Sequence, residues 1–469
     1  MCIPPQLDQD LFRILLYRNR ATELLVETSS AAFHLPFVPV PVHTRVAQEL
    51  TESIKTSWNL ETYCLFTFPS ETSSRPAIRN VVLESCLVGE QTPPGMQWLG
   101  ISALCEKDFD DSDDLAAIQS SLVMFDRYSR GELPGAFGVP GSSRMVTAWI
   151  EEQAAAIGLH LSGTFRQLNG GPTFSLIRFE TDGPALWFKA VGEPNLREYE
   201  ITLELGAAFL NFVPQILTTR RDWNAWLATE VEGSHPDNHS NIDVWTIVVR
   251  QMGELQIASL GQALHLIDVG CFDFRISSLA EMIDPFMEVM AALMQQQTKA
   301  SPPPLSRREL SGLSTQLQDA LAILKDSGIP NVLNHLDLNP RNILVNEARC
   351  VFLDWAQAAV GHPLLTFQYL LDHLRRLRPI HQGWQQNLVT EYVDAWRFIV
   401  EPKCSIKSLE VAPLISVFAH AVAQGAWRMG DTLCGTVSAG YLRSLTRRMK
   451  LEGDAWSTRQ SDWNVTCRN

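Results

Sequence analysis

At 469 residues the chain exceeds what one ordinary hydrophobic core supports, so two or three domains are expected. A composition of 45% hydrophobic and 19% charged residues is that of a globular protein and excludes global disorder. The formal charge of −14 argues against a nucleic-acid binder, whose basic excess neutralises phosphates, and weakly favours a cationic small ligand over an anionic one.

The N-terminal "MCIPPQLDQDLFRILLYRNR" is broken by acids and arginines before a long apolar core develops, so no signal peptide is expected. No run of about twenty uninterrupted apolar residues suggests a membrane span. The nine cysteines are scattered, with no Cys-x-x-Cys pair and no Cys/His cluster of zinc spacing. They read as reduced thiols, which points to the cytoplasm.

The first 130 residues mix strand-like runs ("LETYCLFTF", "RNVVLESCLV", "MQWLGISAL") with two helical patterns. In "TRVAQELTESIKTSW" Val46, Leu50 and Ile54 recur at four-residue spacing, and "DDLAAIQSSLVMFDRY" is opened by capping aspartates. An α+β module is expected here. Strands flanking a helix with Glu49 and Glu52 resemble a Nudix-hydrolase domain in outline. The Arg-Glu-x-x-Glu-Glu run that holds metals there is missing, so the module is expected to be non-catalytic. The stretch 131–143, with four glycines and two prolines, reads as a linker.

From residue 144 a helix ("SSRMVTAWIEEQAAAIGL") precedes three close strand patterns, "HLSGTFRQL", "TFSLIRFE" and "ALWFKAV". The first two are joined through Asn169-Gly170-Gly171, the last two through Asp182-Gly183-Pro184. A helix with Asn195 as a candidate N-cap comes next, then "PQILTTRR" and "AWLATEVEG". Beyond 242 the pattern is mostly helical, except around "NHLDLNPRNILVNEARCVFLDWAQAAVGHP".

That segment puts Asp337 in a His-x-Asp, Asn342 five residues later, and Asp354 twelve beyond, between the apolar runs "NILV" and "CVFL". The spacing fits the kinase catalytic loop followed by a metal-binding aspartate. Taken with the order strand, Gly turn, strand, strand with Lys, helix with Glu, residues from about 145 to 450 resemble the aminoglycoside phosphotransferase family, the small-molecule kinases related to choline kinase. Leu336, where that family usually has Gly, Arg341, and the Asp-Trp pair in place of Asp-Phe-Gly depart from its pattern.

The resemblance implies an α+β, two-lobed protein kinase-like fold: the N-terminal module (1–130), the linker (131–143), a small antiparallel β lobe (144–232), a helical lobe (233–455) and a C-terminal tail (456–469). It implies ATP as co-substrate and Mg2+, with a small hydroxylated molecule as acceptor and neither nucleic acid nor membrane as partner. The rival is an inactive kinase-like module that binds nucleotide or a protein.

The residue types suit that chemistry. Asp337 would accept the hydroxyl proton, Asn342 offers a neutral oxygen to magnesium, and Asp354 supplies the anionic ligand at the end of a buried strand. His335 reads as structural, fixing the loop. Lys189 lies in an apolar strand, where an unpaired charge costs several kcal/mol. It either pairs with a helical Glu (Glu198, with Glu200 as fallback) beside the triphosphate, or sits at an exposed edge. Gly170 and Gly171 fit equally a phosphate-approaching loop and an ordinary hairpin turn. Backbone near Glu230 and Glu232 is where adenine would be met. The acceptor site is expected after 242 and after Asp354, with Asp372 and His373 nearby.

Overall fold

The structure, a computed structural model, describes residues 8–28, 32–68, 78–86, 92–104, 106–239, 241–347, 349–377, 382–433 and 437–466. The chain divides into two compact units, Met1–Tyr199 with Gln215–Glu230, and Glu200–Pro214 with Val231–Asn469.

The first unit starts with β1 (Gln9–Arg18), β2 (Glu23–Thr28), β3 (Phe33–His34), β4 (Phe37–Pro41), α1 (Val46–Trp58), β5 (Thr62–Thr67), β6 (Ile78–Ser85), β7 (Met96–Gly100) and α2 (Ser112–Ser129). β1 is central: it pairs antiparallel with β2 and β4 and parallel with β6, and β5 lies at the far edge. Its successive side chains serve two cores. Ile14 and Leu16 pack with Leu50 and Ile54 of α1, while Leu15 and Tyr17 join Ile118 and Phe125 of α2. A strand covered on both faces reads as a continuous apolar run rather than an alternation. Arg13, which interrupts that run, is buried against Asp114 (2.6 Å) and Asp111 (2.9 Å).

The unit continues with α3 (Ser142–Ala156), β8 (Leu161–Gly170), β9 (Ser175–Thr181), β10 (Leu186–Ala190), the start of α4 (Arg197–Ala208), β11 (Ile216–Arg220) and β12 (Ala225–Thr229). β8 to β12 form an antiparallel sheet in the order β11-β12-β10-β9-β8.

The stretch 131–143, expected as a linker, is packed inside this unit. Phe137 is buried and meets Phe188 and Trp223 edge-on at 6.0 and 5.7 Å. A Cβ on Gly135 would come within 2.9 Å of Tyr128 and Pro172, so this glycine serves close approach rather than slack. The Glu84 carboxylate accepts from the amides of Gly141 (2.5 Å) and Ser143 (2.7 Å), holding the start of α3. Tyr17, Leu65 and Val82 of the first sheet belong to one hydrophobic cluster with Val146, Ile177 and Phe188. The expected boundary therefore falls within a shared core. Glycine and proline content marks irregular backbone, and irregular backbone can still be tightly packed.

The second unit holds the rest of α4, then α5 (Ile242–Ala258), α6 (Ala263–Val269), β13 (Phe272–Phe274), α7 (Ile276–Gln295), α8 (Arg307–Asp326), β14 (Val332–His335), β15 (Ile343–Asn346), β16 (Arg349–Phe352), β17 (Ala358–Gly361), α9 (Leu364–Leu377), α10 (Gln382–Trp396), α11 (Pro402–Ala423) and α12 (Val437–Thr466). The tail expected from 456 is thus helical to Thr466. One core gathers α7, α8, α11 and α12, and a second packs α5, α9 and α10 around the short strands. α11 is long and apolar enough to cross a membrane, but 67% of that window is buried within the protein, as befits the central helix of a bundle. A small antiparallel sheet followed by a mostly helical part, with an α+β module before them, is the expected fold class.

Candidate active site

β14 is fully buried and pairs antiparallel with β17, which also pairs parallel with β13. The chain leaves β14 at His335, and this side chain organises the loop beyond the strand. Its Nε2 donates to the Leu353 carbonyl (2.8 Å) and its Nδ1 accepts from the Asp337 amide (3.3 Å), which fixes the neutral Nε2–H tautomer. Trp355, buried, lies 4.7 Å from the His335 ring and donates its indole N–H to Phe352 O. The Trp of the Asp-Trp pair thus clamps the histidine.

Asp337 is half-buried. Its Oδ1 accepts from Tyr369 Oη (2.7 Å) and Asn339 Nδ2 (3.2 Å). Asn342 ends the 3-10 turn Pro340–Asn342. Its side-chain Nδ2 donates to the Asp337 backbone carbonyl (2.9 Å), and its own backbone carbonyl accepts from the Leu353 amide (2.8 Å). Leu353 is therefore held on both sides, by His335 and by Asn342, directly before Asp354. The hairpin of β15 and β16 closes the same loop, with Ile343 opposite Phe352.

Asp354 has φ 64° and ψ 70°, a left-handed conformation that aspartate tolerates better than most residues. Its side chain does not cap the 3-10 turn Trp355–Gln357 that comes next, and the residue is exposed. Such strain costs of order 1–3 kcal/mol and persists where the surroundings impose it. Here the two bonds to Leu353 do so. The donor set offered by Asn342 and Asp354 is oxygen only, which suits a hard divalent cation completed by water and phosphate. Among the described residues no group of three or more His, Cys, Asp or Glu could hold a metal ion, and magnesium sites of this kind do not need one.

In the first unit Lys189 projects from β10 between Trp187 and Val191. Its Nζ lies 2.5 Å from Glu198 Oε1 and 5.7 Å from the Trp226 ring. Glu198 is 2% exposed, so a lysine in an apolar strand meets a carboxylate that is itself buried. Glu198, rather than Glu200, is the partner.

Two other expectations acquire structural explanations. Gly170 ends β8, and a Cβ there would lie 2.8 Å from the Cys64 carbonyl and 2.4 Å from Gln167 Nε2. One on Gly171 would strike the Phe174 ring at 2.4 Å, and the Gly171 amide closes the turn on Phe174 O. The pair is required by packing and by the hairpin, and no phosphate is needed to account for it. The Glu230 amide donates to Ala185 O (2.8 Å), and its carboxylate forms a two-point bridge to Arg178 at 2.7 and 2.8 Å. The hydrogen bond to Arg178 holds this carboxyl below its usual range. That backbone N–H is already committed to the strand rather than open to adenine. Glu232 is exposed.

Tyr369 is the residue of the candidate site that sequence reasoning missed. It lies in α9, 32 positions after Asp337, in a stretch whose aromatic residues read equally well as core. His373, one turn on, is 4.8 Å from the Tyr369 ring. Burial, then the neighbouring Arg376, pushes its imidazole down to about 4. His420 of α11 is 5.4 Å from the same ring, and its Nε2 is 2.9 Å from Tyr441 Oη of α12. Of the family departures, Leu336 is buried in the helical core and Arg341 pairs with Asp237 at 3.4 Å.

Residues 196–401 match the profile of the Phosphotransferase enzyme family. This stretch is similar to phosphotransferase sequences. It contains Glu198, Asp337, Asn342 and Asp354 and leaves Lys189, Gly170 and Gly171 before it, so the resemblance drawn from the motifs holds where the motifs are densest. The match agrees with the expected class of reaction, phosphoryl transfer. No curated protein matches the chain. Similar solved structures include a macrolide 2'-phosphotransferase from Brachybacterium faecium (18% identity, 61% of this chain and 96% of that one, TM-score 0.40). A Plasmodium vivax ethanolamine kinase (14%, 75% and 91%, 0.43) and a choline kinase from Cryptosporidium parvum (13%, 69% and 97%, 0.45) are two more.

Proposed function

We propose that the chain transfers the γ-phosphoryl group of ATP to a hydroxyl of a small molecule, in a magnesium-dependent reaction. The observation that carries this reading is the bond chain through Leu353, which joins Asp337, Asn342 and Asp354 into one loop system. The acceptor hydroxyl places its oxygen in line with the γ-phosphorus. The bond from that phosphorus to the bridging oxygen of ADP breaks as the bond to the acceptor oxygen forms. The hydroxyl proton passes to Asp337, whose carboxylate is oriented by Tyr369 and Asn339. Magnesium, when bound, neutralises charge building on the phosphate oxygens. Asn342 and Asp354 are the residues that would hold it. Lys189, oriented by Glu198, would pair with the triphosphate.

The test separates the two carboxylates. Asp337→Asn should lower turnover at least about a hundredfold, the scale of a lost general base, with ATP affinity within a few fold. Asp354→Ala should weaken magnesium-dependent nucleotide binding itself. Equal calorimetric affinities of the two variants for Mg-ATP would sink this division of roles. A wild-type protein that binds nucleotide yet turns over no acceptor would favour an inactive binding module.

A further inference from the structure

The chain as a whole is acidic, but the side chains gathered around Asp337 within the second unit are not. Tyr369, His373 and Arg376 succeed one another at helical spacing along α9, starting from the Tyr369 hydroxyl on Asp337. His420 and Tyr441 come in from α11 and α12, and Arg448 lies two turns beyond Tyr441. Tyr441 is 46% exposed, so the cluster opens to solvent on that side.

The charges on this cluster can be assigned. Asp372 is buried and shared among Arg448 (2.6 Å), Arg375 (3.3 Å) and Gln368 (2.9 Å). Its single negative charge is more than offset by the two guanidiniums. Arg376 uses Nε on the Asp372 carbonyl (3.1 Å), a bond that leaves its full charge, and the side chain is exposed. Both histidines are pushed down, chiefly by burial, and His373, at about 4, is neutral at pH 7. Among the described residues the carboxylate acting on Tyr369, His373, His420 and Tyr441 is Asp337, and the cations are Arg376 and Arg448. An ammonium group brought here would find the guanidiniums of Arg376 and Arg448, with Asp337 needed for the proton and Asp372 already paired to Arg448 and Arg375. An anion would find a charge-assisted donor.

We propose that the acceptor is an anionic small molecule, a hydroxy acid or a phosphorylated alcohol, whose carboxylate or phosphate is met by Arg376, with Arg448 beside it, while its hydroxyl reaches Asp337. This rests on the phosphotransferase reading, with the proton and phosphoryl group moving as described there. It assigns Arg376 a part in specificity, against the weak preference for cations that net charge alone suggests.

A series with one diol frame and different charge tests it: glycerol, glycerate, glycerol 3-phosphate and 3-amino-1,2-propanediol. Binding to the full-length protein is measured by calorimetry, and acceptor-dependent ADP release is measured separately. At least one of the two anions should half-saturate at a concentration about tenfold or more below the amine, the lower end for one charge-assisted hydrogen bond. Which anion wins distinguishes carboxylate from phosphate. Arg376→Gln should erase the preference, raising KM more than it lowers kcat, and Arg376→Lys should restore part of it. An amine that binds as well as the anions, a preference that survives Arg376→Gln, or no binding across the series would overturn the proposal. An anion preference without ADP release would instead count against phosphoryl transfer and leave the charge of the site as inferred.

Discussion

Gln167 offers the most direct test of how the first unit is built. Its buried side chain lies against the edge strand β5. Oε1 accepts from the Cys64 amide at 2.7 Å and Nε2 donates to the Cys64 carbonyl at 3.0 Å. One amide side chain thus stands in for a neighbouring strand at a place where the β5–β6 register shifts between Cys64 and Phe66. Gln167→Met keeps the length and most of the volume and removes both bonds. Two backbone groups are then left buried without partners, at about 1–3 kcal/mol each, so a loss of roughly 2–6 kcal/mol is expected. Against a typical total of about 5–15 kcal/mol that is a large fraction. Urea unfolding monitored by tryptophan fluorescence reads it out, with Gln167→Glu at neutral pH as a second variant that keeps the acceptor and loses the donor. A loss under about 1 kcal/mol, or residues 1–140 removed with no effect on the melting of the remainder, would refute the idea that module and small sheet share a core.

The same geometry makes three further outcomes measurable. Tyr369→Phe removes the hydroxyl on Asp337 and should lower kcat about tenfold or more, the value of a hydrogen bond to a charged group, with nucleotide affinity unchanged in a filter or calorimetric assay. Lys189→Met leaves the buried Glu198 carboxylate without its lysine and should cost about 3–5 kcal/mol. Adding Glu198→Gln should recover part of that loss in a double-mutant cycle read by denaturant titration. His362 is fully buried and pushed down by burial to about 3, and His373 to about 4, from an ordinary 6.5. The unfolded chain therefore takes up protons that the folded one refuses, so stability is full above pH 6.5 and falls toward pH 4, by up to about 1.4 kcal/mol per pH unit for each histidine. Melting temperatures across that window check the sign, and His362→Gln should flatten the slope.

The amino-acid order alone determined what local spacing can carry. The interval from Asp337 to Asn342 to Asp354, the apolar alternation of "LWFKAV", the turn signals between β8, β9 and β10, and the periodicity of α1 and α2 are written within a few residues of themselves. Lys189 could be matched to Glu198 because nine positions separate them. Tertiary structure decided the rest, where partners are distant. β1 carries a buried arginine whose carboxylates lie 98 positions or more away, so its strand was not legible. The glycines at 135 and 170 read as freedom in the sequence and prove to be contacts with Tyr128 and Cys64. The cluster that gives Asp337 its surroundings is assembled from α9, α11 and α12. No local pattern signals it, because whether a Tyr or Arg faces the core, the solvent or a reacting group is settled by which helices pack together.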